Sequence, residues 1–270
     1  VKRLKLNKES YIPILGLGTW QLRGRECQKA VEYALKIGYR HFDTADVYGN
    51  HKELGDAIKK SGIKRKDFFI TTKVWRSNLR KKGVSDSTNR FLDELGTDYI
   101  DLLLIHWPNS QIPIEETLEA MNGLKEKGKI KAMGVSNFTT RHLVDALATK
   151  FEVAVNQVEF HPSLNQKGLK NYCDQKGIVI TAYSPIAQGQ DLILPEIKKL
   201  TKKYNKSESQ VILNWLMQKN MVAIPRSCST KHIKDNFDTL NWNLKERDIE
   251  LIDQIGGEMR LINPGFSEFN

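Results

Sequence analysis

Long apolar runs are missing from this sequence of 270 residues: no window approaches the roughly 18 uninterrupted apolar residues that a membrane span needs. No membrane partner is expected. Cysteine is scarce. Cys27, Cys173 and Cys228 lie far apart and are odd in number, so they form neither a disulfide framework nor a C-x-x-C site. That usage fits a reducing, cytoplasmic location. The opening segment Val1–Asn7 has charge but no apolar core or small-residue cleavage site, so no secretory signal is expected. There is no H-E-x-x-H, and the six histidines are scattered, so no metal is expected. The dinucleotide fingerprint is incomplete, because Gly16-Leu17-Gly18 continues as Thr19-Trp20-Gln21 without the third glycine. That counts against a Rossmann dehydrogenase. Gly134-Val135-Ser136 is followed by Phe138 where a hydrolase elbow needs glycine, which disfavours a serine hydrolase.

What is present is a basic globular composition. Lys and Arg number 42 against 32 Asp and Glu, giving a net charge of +10 that would attract anionic ligands. The basic residues are spread along the chain. The densest run, Lys59-Lys60 to Lys64-Arg65-Lys66, is broken by Gly62 and has no aromatic platform. It reads as a solvated helix end, and no nucleic-acid partner is expected.

Short apolar runs of strand type occur at Leu15–Leu17, Tyr39–Phe42, Phe68–Val74, Ile100–His106, Lys131–Ser136, Val153–Glu159, Ile178–Tyr183 and Val222–Pro225. Stretches of helical spacing lie between them. Cys27, Ala30, Val31, Ala34 and Leu35 make one stripe, stopped by Gly38. Val84, Thr88, Phe91, Leu92 and Leu95 make a second, stopped by Gly96; Leu118, Met121 and Leu124 make a third, stopped by Gly128. Ser207 and Gln210 form a capping-box pair before another helix. The run Leu102-Leu103-Leu104-Ile105 has no polar alternation, as in parallel strands covered on both faces. Eight such β/α units predict one domain over residues 1–270, a closed (β/α)8 TIM barrel. Arg3–Leu6 and Tyr11–Ile14 predict a hairpin plugging its bottom.

In such a barrel, reactive residues collect at the C-terminal strand ends. Those ends supply Asp43, Lys73, His106, Ser136-Asn137, Gln157, Tyr183-Ser184 and Arg226-Ser227. Each alone has an ordinary structural explanation, but a barrel brings them all to one rim.

These residues lie in motifs that resemble the aldo-keto reductase superfamily over essentially the whole chain. The motifs are Gly38–Ala45 with Tyr48-Gly49-Asn50, Asp101–Pro108, Gly134–Phe138, Asn156–Glu159 with His161-Pro162, Ala182–Pro185 and Ile224–Ser227, in the family's order. One departure is His51, where the family usually has an acidic residue. The resemblance implies a catalytic tetrad of Asp43, Tyr48, Lys73 and His106. The chemistry is consistent with it. Carbonyl reduction needs a hydride on carbon and a proton on oxygen. A phenol is a poor acid near neutrality; a Lys73 ammonium held by Asp43 is expected to lower the Tyr48 pKa, with His106 positioning the carbonyl oxygen or relaying a proton to Tyr48. With no flavin or metal motif, the hydride is expected from a nicotinamide. By resemblance, Ser136, Asn137 and Gln157 would bind its carboxamide and Tyr183 would stack on its ring. Ser184, Pro185, Ala187 and Gln188 would line the pyrophosphate, and Arg226, Ser227, Asp235 and Asn236 would hold the adenosine end.

NADPH is the expected cofactor, with NADH a weaker second. Relatives that prefer NADPH place Lys-Ser after Ile-Pro and an Arg a few residues on; here those positions are Arg226-Ser227 and His232. Arg226 keeps a bidentate donor, whereas a histidine has no guanidinium fork. Trp20, Trp75, His106 and Trp107 are expected to wall the substrate pocket. The short tail after Ile255 resembles the microbial diketogluconate and methylglyoxal reductases, so the expected partner is a small carbonyl compound and the expected state a monomer. The alternative is a cofactor-binding sensor on the same barrel, similar to the potassium-channel β-subunits.

Overall fold

The computed structural model describes residues 1–269. Eight parallel strands follow one another around a barrel: β3 (Leu17–Gly18), β4 (His41–Asp43), β5 (Phe69–Val74), β6 (Ile100–Ile105), β7 (Ile130–Ser136), β8 (Val155–Glu159), β9 (Val179–Tyr183) and β10 (Val222–Ala223). Before them, β1 (Arg3–Lys5) and β2 (Tyr11–Pro13) pair antiparallel, with Leu4 opposite Ile12. The barrel closes where the β3 segment meets the β10 segment. Gly16 N–H donates to Ala223 O at 2.9 Å, and Ala223 N–H donates to Ile14 O at 2.9 Å. Gly18 continues the seam with a parallel bridge to Arg226.

That seam explains the two early glycines. A Cβ at Gly16 would lie 2.5 Å from His41 Nδ1, and one at Gly18 would lie 2.7 Å from Ile224 O. Gly16 leaves room for the buried His41 ring, and Gly18 for close approach of the Ile224 backbone.

Side chains alternate across the strands. On β6, Leu102 and Leu104 join the barrel interior with Ala132, Val155 and Val222, while Leu103 and Ile105 join the layer under the helices. Leu6 and Ile12 from the hairpin pack into the interior cluster and close the bottom. Two buried side chains of that size contribute about 3–6 kcal/mol. A two-stranded hairpin is marginal without such support.

The predicted helical stripes are buried as expected. Helix α1 (Gly24–Ile37) buries Cys27, Ala30, Val31, Ala34 and Leu35, and Gly38 ends it at φ 113°. Helix α2 (His51–Lys60) ends in the basic run. Helix α3 (Lys81–Leu95) stops at Gly96 in the left-handed region, and α4 (Ile114–Glu126) is capped by Lys127, one residue before Gly128. The remaining helices are α5 (Thr140–Ala148), α6 (Lys167–Lys176), α7 (Pro195–Tyr204), α8 (Glu208–Gln218), α9 (Thr230–Asp238) and α10 (Glu246–Asp253). At α8 only half of the predicted capping box forms. Ser207 Oγ accepts from Gln210 N at 3.1 Å, but the Gln210 side chain donates to Asp235 instead. No helix among the described residues is long and apolar enough to cross a membrane.

Candidate active site

The rim assembles as the strand ends imply. Asp43 ends β4 and Lys73 lies one residue before the end of β5. His106 follows β6, its N–H donating to Val74 O at 3.0 Å. Tyr48 arrives by a different route, on a short 3-10 turn, Asp46–Tyr48, that ends at Gly49 with φ 61°. Asn50 anchors this turn from below. Its amide donates to Thr19 O at 2.9 Å and to Leu22 O at 2.8 Å.

Lys73 Nζ sits 2.6 Å from Asp43 Oδ1 and donates to Thr44 O at 2.8 Å. Its ammonium lies 5.0 Å from the centre of the Tyr48 ring. His106 meets Tyr48 edge-on at 5.9 Å and Trp75 edge-on at 5.3 Å. Lys73 and Asp43 are both buried. Burial is the largest influence on each, raising the Asp43 pKa and lowering that of Lys73, and their mutual attraction opposes both shifts. The 2.6 Å contact is that of a charge-assisted hydrogen bond.

The expected lowering of the Tyr48 pKa by Lys73 is not what this arrangement does. Burial, followed by the Asp43 charge, holds the phenol well above its ordinary value. Lys73 is engaged by Asp43 and Thr44, so its influence at rest is offset. The phenol therefore keeps its proton, which is the form an acid needs. Burial, followed by the Lys73 charge, pushes His106 well below the usual imidazole range. His106 is a neutral hydrogen-bonding group here, not a cation.

Asp43, Tyr48 and His106 open onto a cavity of about 760 Å³, the size of a small-molecule site. Trp20, Trp75 and Trp107 line it, together with Ser136, Asn137, Gln157, Tyr183, Ser184, Pro185, Gln188 and Arg226. Several of these polar groups are already tied to one another. Gln157 Nε2 donates to Asp43 Oδ2 at 2.7 Å, so one of its two amide N–H groups supports the ion pair. Asn137 Nδ2 donates to His106 O at 2.9 Å, and its Oδ1 accepts from the Tyr183 hydroxyl at 2.8 Å. Ser136 Oγ donates to Gln157 O at 2.8 Å. The Tyr183 ring is thereby presented to the cavity by its tether.

Ala187, Ser227, His232, Asp235 and Asn236 lie outside the cavity lining, and Lys73 lies beneath it. Ala187 and Asn236 are buried, and Asp235 faces α8, accepting from Ser207 Oγ at 2.5 Å and from Gln210. His232 is exposed near the start of α9, and Arg226 is exposed at the rim, donating to Trp20 O at 3.2 Å. The loop after β9 takes an unusual path: Ser184, Ala187, Gln188 and Gly189 all have φ between 45° and 100°. Strain of this kind clusters at ligand sites. A cavity of this size, a half-exposed Tyr183 ring, that loop and an exposed arginine at one end fit an extended nicotinamide dinucleotide.

The fourth wall was not expected from sequence. Leu261, Ile262, Asn263 and Pro264 of the tail line the cavity. Phe266 packs edge-on against Trp75 and Trp107, both at 5.5 Å. The available signal was the run of apolar residues Leu261, Ile262, Pro264, Phe266 and Phe269 in the terminal stretch.

Comparison with known proteins agrees with this geometry. The family model described as "Aldo/keto reductase family" matches residues 14–256. The chain is similar to the glyoxal reductase of Bacillus subtilis (strain 168), 39% identical over 96% of this chain and 94% of that one. It is also similar to glycerol 2-dehydrogenase (NADP(+)) of Saccharomyces cerevisiae, 38% identical over 99% and 96% of the two chains. Among solved structures, an aldo-keto reductase from a Medee basin deep-sea metagenome library superposes with a TM-score of 0.93 at 38% identity, covering 97% of each chain. A barrel with this rim and these relatives is an oxidoreductase of the carbonyl-reducing kind, and the chain belongs to the aldo/keto reductase family.

Proposed function

We propose that the protein reduces small aldehydes and ketones, of the sugar or 2-oxo type, to alcohols, with NADPH as electron donor and Tyr48 as proton donor. The observation that carries this reading is the buried Lys73–Asp43 pair beneath a protonated Tyr48, with His106 edge-on beside it at the floor of an aromatic cavity. When bound, the nicotinamide supplies the hydride. The chain does the rest. Trp20, Trp75 and Trp107 exclude water and hold the apolar part of a small carbonyl compound. Neutral His106 donates a hydrogen bond to the carbonyl oxygen and orients it toward Tyr48. As negative charge grows on that oxygen, the phenol gives up its proton. The Lys73 ammonium then faces a phenolate, an attraction absent at rest, and this difference is what lowers the barrier.

The NADP(+) in the name of the yeast relative supports NADPH as the cofactor. Arg226, exposed at the cavity rim, and His232, exposed near the start of α9, are the groups proposed to meet its 2′-phosphate. A cytoplasmic monomer completes the reading, supported by free thiols at Cys27, Cys173 and Cys228. The test is the loss of NADPH absorbance with glyoxal and with simple aldehydes. Turnover is expected with at least one of them. Tight NADPH binding without turnover of any aldehyde or ketone in a broad panel would favour the sensor reading instead.

A further inference from the structure

Three buried ionisable groups beside β8 take no part in the proposed reaction. His161 Nε2 lies 3.1 Å from Glu159 Oε1, and Nδ1 lies 3.0 Å from Asp191 Oδ2. All three side chains are buried. Ionised carboxylates only accept hydrogen bonds, so both ring nitrogens must carry hydrogen and the ring is an imidazolium. Each carboxylate also holds something else. Glu159 accepts the backbone N–H of Leu261 at 2.8 Å and of Ile262 at 3.0 Å. Asp191 accepts the Ser163 N–H at 3.0 Å and its hydroxyl at 2.6 Å.

Leu261 and Ile262 belong to the tail wall of the cavity. Asp191 belongs to the loop after β9, whose Ser184, Pro185 and Gln188 line the same cavity. One buried ring therefore joins two walls that are remote in sequence. We propose that His161 is a positioning residue that couples the cofactor-facing loop Ser184–Ile193 to the substrate-facing tail Leu261–Pro264, so that a nicotinamide dinucleotide bound against the loop also sets the tail. The proposal rests on the cofactor reading given above.

The link is sensitive to pH. Burial by itself would lower the His161 pKa, but Asp191 and Glu159 outweigh it and hold it above the ordinary value. Burial likewise opposes the lowering of Glu159 and Asp191, and their hydrogen bonds outweigh it. The other ionisable groups nearby are Arg260 on the tail and Tyr183 on β9; Arg260 donates to Gln166 Oε1 at 3.5 Å. A histidine with a raised folded pKa stabilises the link fully below its unfolded value of about 6.5, and the link is lost as pH rises through the folded value.

The experiment follows tryptic cleavage after Arg260 by mass spectrometry, with and without NADPH, alongside NADPH affinity, from about pH 6 to 9. In the wild type NADPH is expected to slow cleavage, and this protection should fade at the alkaline end. His161→Gln carries no charge and has no donors on two separate ring nitrogens, so it does not replace the imidazolium between the carboxylates. Its Kd for NADPH should rise about tenfold or more, and its protection should be absent at every pH. Asp191→Asn, which weakens the loop arm and removes one of the two charges that hold His161 protonated, should also abolish protection. A wild type that binds no NADPH overturns the cofactor reading. A wild type that binds NADPH but shows no protection overturns the coupling alone; so does equal protection in both variants. Should His161→Gln fail to fold, the wild-type pH series and Asp191→Asn decide the matter.

Discussion

The Gln157 amide nitrogen sits 2.7 Å from Asp43 Oδ2, so the carboxylate that holds Lys73 is itself held by β8, across the barrel. Three strands thus share one hydrogen-bonded chain, Lys73 to Asp43 to Gln157. Gln157→Leu would leave a buried carboxylate oxygen without this partner. A lost hydrogen bond to a charged group costs about 1–3 kcal/mol. The expected result is a lower Tm together with at least a tenfold loss of kcat for aldehyde reduction. Wild-type kcat in a folded Gln157→Leu would show that the bond does not position the ion pair.

Tyr48→Phe removes the proposed acid and leaves the ring. Loss of a general acid typically costs about 10²–10⁴-fold in rate. We expect that loss in kcat on a simple aldehyde, with the NADPH Kd close to wild type. A variant that retains more than about a tenth of the wild-type kcat would require another proton donor.

His41 is buried, its Nε2 lies 3.1 Å from Thr71 Oγ1, and burial lowers its pKa to about 3. Its pKa falls on folding, so below about pH 6.5 the unfolded chain binds a proton that the folded chain does not. Stability should therefore drop as pH falls from about 6.5 toward 3, by up to about 1.4 kcal/mol per pH unit from this residue. His41→Gln should lose that contribution. Urea unfolding at several pH values measures the slope, and an identical acid slope in the variant would exclude His41 as its source.

Cofactor choice tests the outer end of the trough. Arg226 offers a guanidinium at the rim, and His232 is exposed near the start of α9. One charge-assisted contact is worth about 1.5–3 kcal/mol, or roughly 10- to 150-fold. The wild type should prefer NADPH only modestly in kcat/KM. His232→Arg should widen the preference and Arg226→Ala should erase it. A wild-type preference above about a thousandfold would exceed what this arrangement supplies.

The barrel was legible because its signals are local. Strand-type runs, helical stripes and the stops at Gly38 and Gly96 each depend on neighbours within a turn or two of chain. Once eight strands are in hand, barrel geometry itself carries Asp43, Lys73 and His106 to one rim, with no knowledge of side-chain contacts. The pairings that decide what those residues do are not local. Gln157 reaches Asp43 across 114 residues, and Glu159 reaches Leu261 across 102. Nothing near Gln157 marks its amide as a support for Asp43, and nothing near Asp235 marks it as a partner of α8. The direction of the Tyr48 pKa shift is not legible in sequence for the same reason. Sequence names the ions around a phenol but not their distances, nor how much water is excluded, and desolvation outweighs an ammonium that another carboxylate already holds. The amino-acid order determined the barrel, its rim and the reactive residue types. The closing seam, the tail wall and the protonation of each group were settled only when distant segments packed together and displaced water from between them.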